Sequence, residues 1–506
     1  MTSPSGTDRG WTVMETARAV SGGHVLGDGS VRVRAIVLDS RQATAGSLFL
    51  AMLGTRADGR QFAADAMQRG SVAVLATRPV EALDVPQIIV PDVRRALAEI
   101  ALAWYGAPER DMVLIGVTGT NGKTTTVELV ATMSRAAGHA GATLGTLGAT
   151  VDGEEVPFPV TRPTTPEAHE LRQMLALVHE RGATLVAMEV SSHALVLDRA
   201  WGLRFDGAVF TNLTEDHLDF HGTLEDYFRA KARLFEGLGR NAVAAINVGD
   251  PYGRRLVDMT RARTITYGWS AAADVRPREA VNVPSIRGTV ETPAGLVELA
   301  MPLVGRFNVE NALAAVAIGI GLGMEPDQIA AGLAAASPVP GRLEPVSIGQ
   351  DFTVVVDYAH TPDALENVLG AAREMTRGRV ICLVGCGGDR DPFKRPVMGG
   401  IATRTAEMTI FTSDNPRTED PDRILDQIIA GATGGNPYER IEPRRQAIRR
   451  AIALAETGDV IVLAGKGHEP YQEVDGVKHP FDDRVEARRA LEERVAEVPT
   501  KSGSPA

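Results

Sequence analysis

A chain of 506 residues exceeds what one hydrophobic core can organise and suits about three domains of roughly 150 residues each. With 44% hydrophobic and 23% charged residues and no long low-complexity tract, its composition is that of a folded globular protein and excludes a fibrous or disordered chain. The formal net charge of −11 disfavours a nucleic-acid partner, whose phosphates call for a basic surface. Met1 to Trp11 is polar, without the apolar core of a signal peptide, and the longest apolar stretch, Ala312 to Met324, is interrupted by glycines and too short to span a bilayer. The two cysteines, Cys382 and Cys386, do not form the spacing of a disulfide framework. A soluble cytoplasmic protein with no membrane span is the expectation.

From about Trp11 to Pro108, short apolar runs alternate with turn residues: Ala35 to Leu38, Ser47 to Met52, Val72 to Ala76 and Gln87 to Val90. This predicts a small α/β domain. Two polar turns follow its strands, L-D-S-R at Leu38 to Arg41 and G-T-R-A-D-G at Gly54 to Gly59, and from residue types alone they read as solvated loops.

Val113 to Thr126, V-L-I-G-V-T-G-T-N-G-K-T-T-T, passes from an apolar run through clustered glycines into a segment suited to a helix. The run predicts a buried parallel strand, Gly119 and Gly122 a backbone that folds back closely, and Lys123 with Thr124 contacts to phosphate oxygens and Mg²⁺. The spacing departs from G-x-x-x-x-G-K-[ST], because Val117 stands five before Gly122. An ordinary strand-to-helix turn accounts for the glycines but not for Gly-Lys-Thr at the helix start.

Strand-like runs then recur at Thr184 to Val190, Gly207 to Asn212 and Val243 to Asn247, with helical segments such as Pro166 to Arg181 between them, so a mostly parallel sheet is expected. Polar residues follow these strands, where open α/β sheets bind ligands: Glu189 with S-S-H at Ser191 to His193, and Asn212 with T-E-D-H at Thr214 to His217. An acidic group placed there can hold Mg²⁺, and equally can cap a helix or face water. Lys231 has Tyr227, Phe228, Leu234 and Phe235 three and four residues away, which puts it within the apolar stripe of a helix. The pattern alone favours a lysine whose stem covers the core while its head reaches water.

P-V-P-G-R-L-E at Pro338 to Glu344 reads as an interdomain hinge from which Arg342 could reach ATP phosphates. Beyond it, strands are predicted at Phe352 to Val356, Val380 to Val384, Met408 to Thr412 and Val460 to Ala464. Each leads into a charged or glycine-rich motif: D-Y-A-H-T-P from Asp357, G-C-G-G-D-R from Gly385, S-D-N-P-R from Ser413 and G-K-G-H-E from Gly465. Four such motifs on one sheet edge describe a ligand cleft.

Taken together, G-T-N-G-K-T at Gly119 to Thr124, E-V-S-S-H, the stretch from Asn212 to His221, D-N-P-R and G-K-G-H-E resemble the Mur ligase superfamily over nearly the whole chain. The resemblance implies an α/β protein of three domains, 1–108 for the UDP end of the substrate, 109–340 a central P-loop ATPase domain with a mostly parallel sheet, and 341–506 a Rossmann-like domain for the amino acid. It implies a ligase that activates a carboxylate with ATP as an acyl phosphate and joins it to an amine. D-N-P-R and G-K-G-H-E favour the branch that adds meso-diaminopimelate to a UDP-muramoyl dipeptide. Other amino acids such as lysine, or a folylpolyglutamate synthase-like reaction, are the alternatives within the family. A P-loop nucleotide switch is the alternative outside it, disfavoured as a GTPase by the lack of an N-K-x-D motif.

Residue by residue, the resemblance assigns Gly119, Thr120, Asn121, Gly122, Lys123, Thr124, Thr125, Thr126, Asn308, Asn311, Arg342 and Asp357 to ATP. Leu38, Ser40, Thr55, Arg56, Ala57, Thr164, Thr165, Ser191, Leu197 and Arg199 fall to the UDP-linked substrate, although Leu197 departs from the polar amide that better-known members carry. Arg390, Asp414, Asn415, Pro416, Arg417, Gly465 and Glu469 fall to the amino acid, with Arg417 taking the distal carboxylate that distinguishes diaminopimelate from lysine. Lys123, Glu189, His217 and Lys231 are the implied catalytic residues. Thr124, Glu189, His217 and Lys231 would hold Mg²⁺, Lys231 as a carbamate formed with CO₂, a reaction of the neutral amine that burial favours. The expected partners are these small molecules and ATP, and the expected state is a monomer.

Overall fold

The computed structural model describes residues 10–54, 57–81, 83–158, 163–279, 281 and 286–497. By its contacts the chain divides into two compact units: Met1–Thr118 with Gly138–Ala208 and Ala230–Ala242, and Gly119–Ala137 with Val209–Arg229 and Val243–Ala506.

The first unit holds a five-stranded sheet in the order His24–Leu26, Gln87–Ile89, Ser71–Ala76, Ser47–Leu50, Ala35–Val37, antiparallel only at its first pair. Its inner strands are buried on both faces because their side chains alternate. Leu48, Leu50, Ala73 and Leu75 pack with Val93, Leu97 and Ile100 of the Val93–Tyr105 helix, while Phe49, Val74 and Ala76 serve the other face. In the same unit Leu185–Glu189 lies between Val113–Thr118 and Gly141–Gly145, parallel to both. The Gly148–Val151 strand then turns back antiparallel on Gly141–Gly145, an element that repeats of β and α segments did not predict.

The second unit contains the Lys123–Ala136 helix, the parallel pair Val243–Asn247 and Arg263–Tyr267, and the apolar helix Arg306–Gly321. It also contains a six-stranded sheet ordered Glu344–Pro345, Thr353–Asp357, Val460–Ala464, Val380–Val384, Met408–Phe411, Tyr438–Arg440, parallel except at its first pair. Val380, Cys382 and Val384 point into one core layer and Ile381 and Leu383 into the other. Since the sheet is parallel, the loops beginning at Tyr358, Gly385, Thr412 and Gly465 all leave from one edge, as the sequence motifs required. Among the described residues no helix is long and apolar enough to cross a membrane.

The two helices that cover one face of this sheet are joined at their starts by a buried ion pair. Arg444 donates to both carboxylate oxygens of Asp483 at 2.8 and 2.6 Å and also to the Ala464 carbonyl at 2.9 Å, with both side chains fully buried. Asp483→Asn removes the countercharge and leaves the guanidinium desolvated, so the unit should lose about 3–5 kcal/mol of stability. A fall in the thermal and denaturant midpoints measures it, and midpoints equal to the parent's would show that water reaches the pair.

Candidate functional site

Residues Gly119 to Gly122 turn the chain from the Val113–Thr118 strand into the Lys123–Ala136 helix. Two glycines are needed here for space. A Cβ at Gly119 would stand 1.8 Å from Thr211 Oγ1, and one at Gly122, where φ is +84°, 2.2 Å from Asn311 Oδ1. The loop is held from the side: Thr120 N–H donates to the Asn212 carbonyl at 2.9 Å, Asn121 N–H to Asn212 Oδ1 at 2.9 Å, and Thr211 Oγ1 to the Asn121 carbonyl at 2.6 Å. Lys123 Nζ lies over the loop, donating to the carbonyls of Gly119 and Thr120 at 3.1 and 2.8 Å. An ammonium held there, at a helix start whose first N–H groups point outward, is suited to an anion.

This loop borders a cavity of about 330 Å³. Asn121, Gly122, Thr124 and Thr125 line one end, and Arg306, Phe307, Glu310 and Asn311 line another part of the wall, with Arg342, Asp357 and Asp363 also contributing. Arg342 Nη2 lies 3.3 Å from Thr124 Oγ1, and its guanidinium is 4.9 Å from the Tyr358 ring centre. Asn311 Nδ2 donates to Asn308 Oδ1 at 3.0 Å, and Asn308 Nδ2 to the Val304 carbonyl at 2.7 Å, so Asn308 supports Asn311 from behind. Asp357 accepts N–H bonds from Leu343 at 2.7 Å and Ala359 at 2.8 Å, while burial raises its carboxyl above the usual range. Thr126 is fully buried in the helix and does not line the cavity.

His217 is exposed, takes a left-handed conformation at φ +55°, and places Nε2 3.3 Å from Asp216 Oδ2. Burial pushes the Asp216 carboxyl up, but the charges of His217, His360 and Lys394 outweigh it and leave the group below its ordinary value. Lys231 is 1% exposed on the Leu224–Glu236 helix, so its head does not reach water as the stripe pattern alone favoured. Among the described residues no group of three or more His, Cys, Asp or Glu side chains is arranged to hold a metal ion.

In the first unit the structure gathers Thr164, Thr165, Glu189, Ser191 and Arg199. Glu189 is buried and accepts the N–H and hydroxyl of Thr146 at 2.9 and 3.2 Å; Thr146 Oγ1 is 3.1 Å from Thr164 Oγ1. Thr165 Oγ1 donates to the Glu189 carbonyl at 2.9 Å and accepts from Ser191 N–H at 3.0 Å. Arg199 donates to the Thr165 carbonyl at 3.0 Å and pairs with Glu167 at 2.8 Å. Leu197 ends the short Ser192–Val196 helix with its N–H on the His193 carbonyl at 2.8 Å. Leu38 and Ser40 follow the Ala35–Val37 strand, and the Ala57 carbonyl accepts from Gly54 N–H at 3.0 Å; Thr55 and Arg56 lie outside the described residues.

At the edge of the six-stranded sheet, Asn415 Nδ2 donates to Glu469 Oε2 at 2.8 Å, and Gly465 approaches so closely that a Cβ would stand 2.8 Å from Asp414 Oδ2. Arg417 has φ +52° and lies beside the Tyr471–Val474 strand, its N–H on the Glu473 carbonyl at 3.0 Å. Its Nη1 donates to the Gly388 carbonyl at 2.7 Å and its Nε is 3.6 Å from Glu473 Oε2. The acids that follow Arg417 closely in sequence are engaged elsewhere: Glu419 pairs with Arg395 at 2.9 Å, and Asp420 caps the Pro421–Ile429 helix. Arg390 is exposed on the loop after Val380–Val384.

Sequence reasoning missed Asp363, which accepts from Asn121 Nδ2 at 2.6 Å, and Glu310, which accepts from Trp269 Nε1 at 2.8 Å. Asp363 stands one residue beyond the D-Y-A-H-T-P motif, at a helix start where an acid is ordinarily read as a dipole partner. Glu310 sits one turn after Arg306, a position visible only once the helix is oriented.

A glycine loop with Lys-Thr at a helix start, and an α/β sheet with four polar loops at one edge, define a P-loop α/β enzyme. The Mur ligase family catalytic domain model matches residues 32–105, the Mur ligase middle domain 117–319, and the Mur ligase glutamate ligase domain 341–467. The UDP-N-acetylmuramoyl-L-alanyl-D-glutamate–2,6-diaminopimelate ligase of Thermosynechococcus vestitus is 46% identical over 488 residues, 95% of this chain and 97% of that protein. A solved structure of a UDP-N-acetylmuramoyl-L-alanyl-D-glutamate–2,6-diaminopimelate ligase is 32% identical, with a TM-score of 0.63 over 96% of this chain and 99% of its own. A MurF ligase from Thermotoga maritima, solved in complex with ADP, shares the fold at 19% identity, with a TM-score of 0.64 over 91% of this chain and 99% of its own. This chain belongs to the Mur ligase family, with that family's three domains in order.

Proposed function

We propose that this chain is the ATP-dependent ligase that adds meso-2,6-diaminopimelate to UDP-N-acetylmuramoyl-L-alanyl-D-glutamate in the cytoplasm, for peptidoglycan synthesis. The observation that carries the choice of amino acid is Arg417, set in a left-handed turn at the sheet edge, where its guanidinium donates through Nη1 to the Gly388 carbonyl. The distal carboxylate of diaminopimelate matches the planar fork of an arginine, and lysine has no such group.

In this reading an oxygen of the D-glutamate γ-carboxylate attacks the γ-phosphorus of ATP and ADP leaves. The diaminopimelate amine then attacks the acyl carbon, phosphate leaves, and the amine proton passes to solvent or a base. Lys123 lies over the loop that borders the cavity and Arg342 lines it; in this reading they supply fixed positive charge as negative charge moves between the oxygens. Mg²⁺ suits the hydroxyl oxygen that Thr124 presents to the cavity, and the resemblance adds Glu189, His217 and carbamylated Lys231 as donors; bound there, it would neutralise phosphate charge. Asn308, Asn311 and Asp357 belong to the ATP side; Leu38, Ser40, Thr55, Arg56, Ala57, Thr164, Thr165, Ser191, Leu197 and Arg199 to the UDP-linked substrate; and Arg390 to the reacting-end carboxylate. The proposed domain boundaries are 1–108, 109–340 and 341–506.

Arg417→Ala tests the reading. An unpaired carboxylate in the closed site costs about 2–5 kcal/mol, so the apparent KM for diaminopimelate should rise at least tenfold while that for ATP holds and relative use of lysine increases. Phosphate release from ATP with the nucleotide dipeptide and a panel of amino acids measures this. A parent enzyme that prefers lysine overturns the assignment.

A further inference from the structure

Lys466 is the central residue of G-K-G-H-E and is fully buried, an uncommon place for an ammonium. The glycines on either side bring it inward. Gly465 has φ +114° and abuts Asp414; Gly467 has φ +51°, and a Cβ there would stand 2.7 Å from Tyr358 Cβ. Lys466 Nζ donates to Asn415 Oδ1 at 3.0 Å and stands 3.5 Å from both Asp414 Oδ1 and Glu469 Oε2. Asp414 Oδ1 is buried and has no hydrogen-bond partner among the described residues, so the lysine is the charge that faces it.

The consequence for Asn415 is definite. Its Oδ1 accepts both Lys466 Nζ and Glu473 N–H, at 3.0 and 2.9 Å, which turns its Nδ2 to Glu469 Oε2 at 2.8 Å. Lys466 and the Glu473 N–H together set which end of the amide faces Glu469, and the lysine stands between two carboxylates that would otherwise oppose each other. One lysine thus faces two acidic side chains, an excess of acid that complements an amino acid's ammonium. Arg444, the other buried cation nearby, is committed to Asp483 and to backbone carbonyls.

We propose that Lys466 is a positioning residue for amino-acid selection: it holds Asn415 and Glu469 in the orientation that receives the ammonium end of the incoming amino acid, and does not itself touch the reacting atoms. The proposal rests on the ligase reading above. Lys466→Met, Glu469→Gln and the doubly substituted protein form the test, each assayed for kcat and for the KM of diaminopimelate and of ATP, with thermal midpoints as a folding control. Lys466→Met should raise the diaminopimelate KM at least tenfold, with the ATP KM within twofold of the parent. Because the lysine acts through Glu469, adding Lys466→Met to Glu469→Gln should change the KM less than threefold further. An unchanged diaminopimelate KM, equal rises for both substrates, or multiplying effects in the double protein overturns the proposal. If Lys466→Met does not fold, comparing Glu469→Gln with the double protein, whose cluster carries no unbalanced carboxylate pair, still decides. A parent that does not use diaminopimelate counts against the ligase reading, whereas a parent that uses it beside indifferent variants counts against this proposal alone.

Discussion

Lys123→Ala should lower steady-state ligation by about 10²–10³-fold, the loss that follows when one positioned charge or donor is removed from a transition state. The substitution is confined in effect. Lys123 Nζ donates to carbonyls of its own loop, at 3.1 Å to Gly119 and 2.8 Å to Thr120. The loop is also pinned independently by Asn212 and Thr211. The thermal midpoint should consequently stay close to the parent's while turnover collapses. Retained turnover within tenfold of the parent would show that phosphate is not handled at this loop.

Lys231→Ala should abolish most activity, for a different reason. At 1% exposure the side chain is sealed in the helix's apolar face beside buried Tyr227, Phe228, Leu234 and Phe235. A buried charge of either sign needs a countercharge, and a divalent cation would supply it to the proposed carbamate. In that reading, removing the lysine removes two oxygen donors at once. Acetate or formate, small enough to enter the space left by the side chain, should restore part of the turnover in proportion to its concentration. Full activity in Lys231→Ala, or a variant that acetate and formate leave unmoved, would assign Lys231 to packing alone.

Much of this was legible beforehand because the signals are local. Val380–Val384 and Val460–Ala464 begin and end where their apolar runs do, since a strand buried on both faces rarely admits a charged residue until it emerges. The Gly148–Val151 strand was not legible: G-A-T-V is too short and too mixed for a pattern, and pairing with Gly141–Gly145 is what makes it a strand. Arg417 shows the same divide within one residue. Its arginine identity pointed to a carboxylate, but Glu419 and Asp420 follow it within three residues, and only the fold sends Glu419 to Arg395 and Asp420 to a helix cap and brings Glu473 alongside.

The sequence by itself determined the parallel α/β class, the phosphate loop and the membership of this chain among the Mur ligases, because glycine spacing, apolar runs and charged motifs are properties of neighbours along the chain. Only the tertiary structure decided that Lys466 stands between Asp414 and Glu469, that Asp363 closes on Asn121, and that Lys231 is sealed rather than reaching water. These depend on residues tens to hundreds of positions apart meeting in a low-dielectric interior. There the cost of an unpaired charge, set by what surrounds it and not by its sequence neighbours, fixes what each group can do.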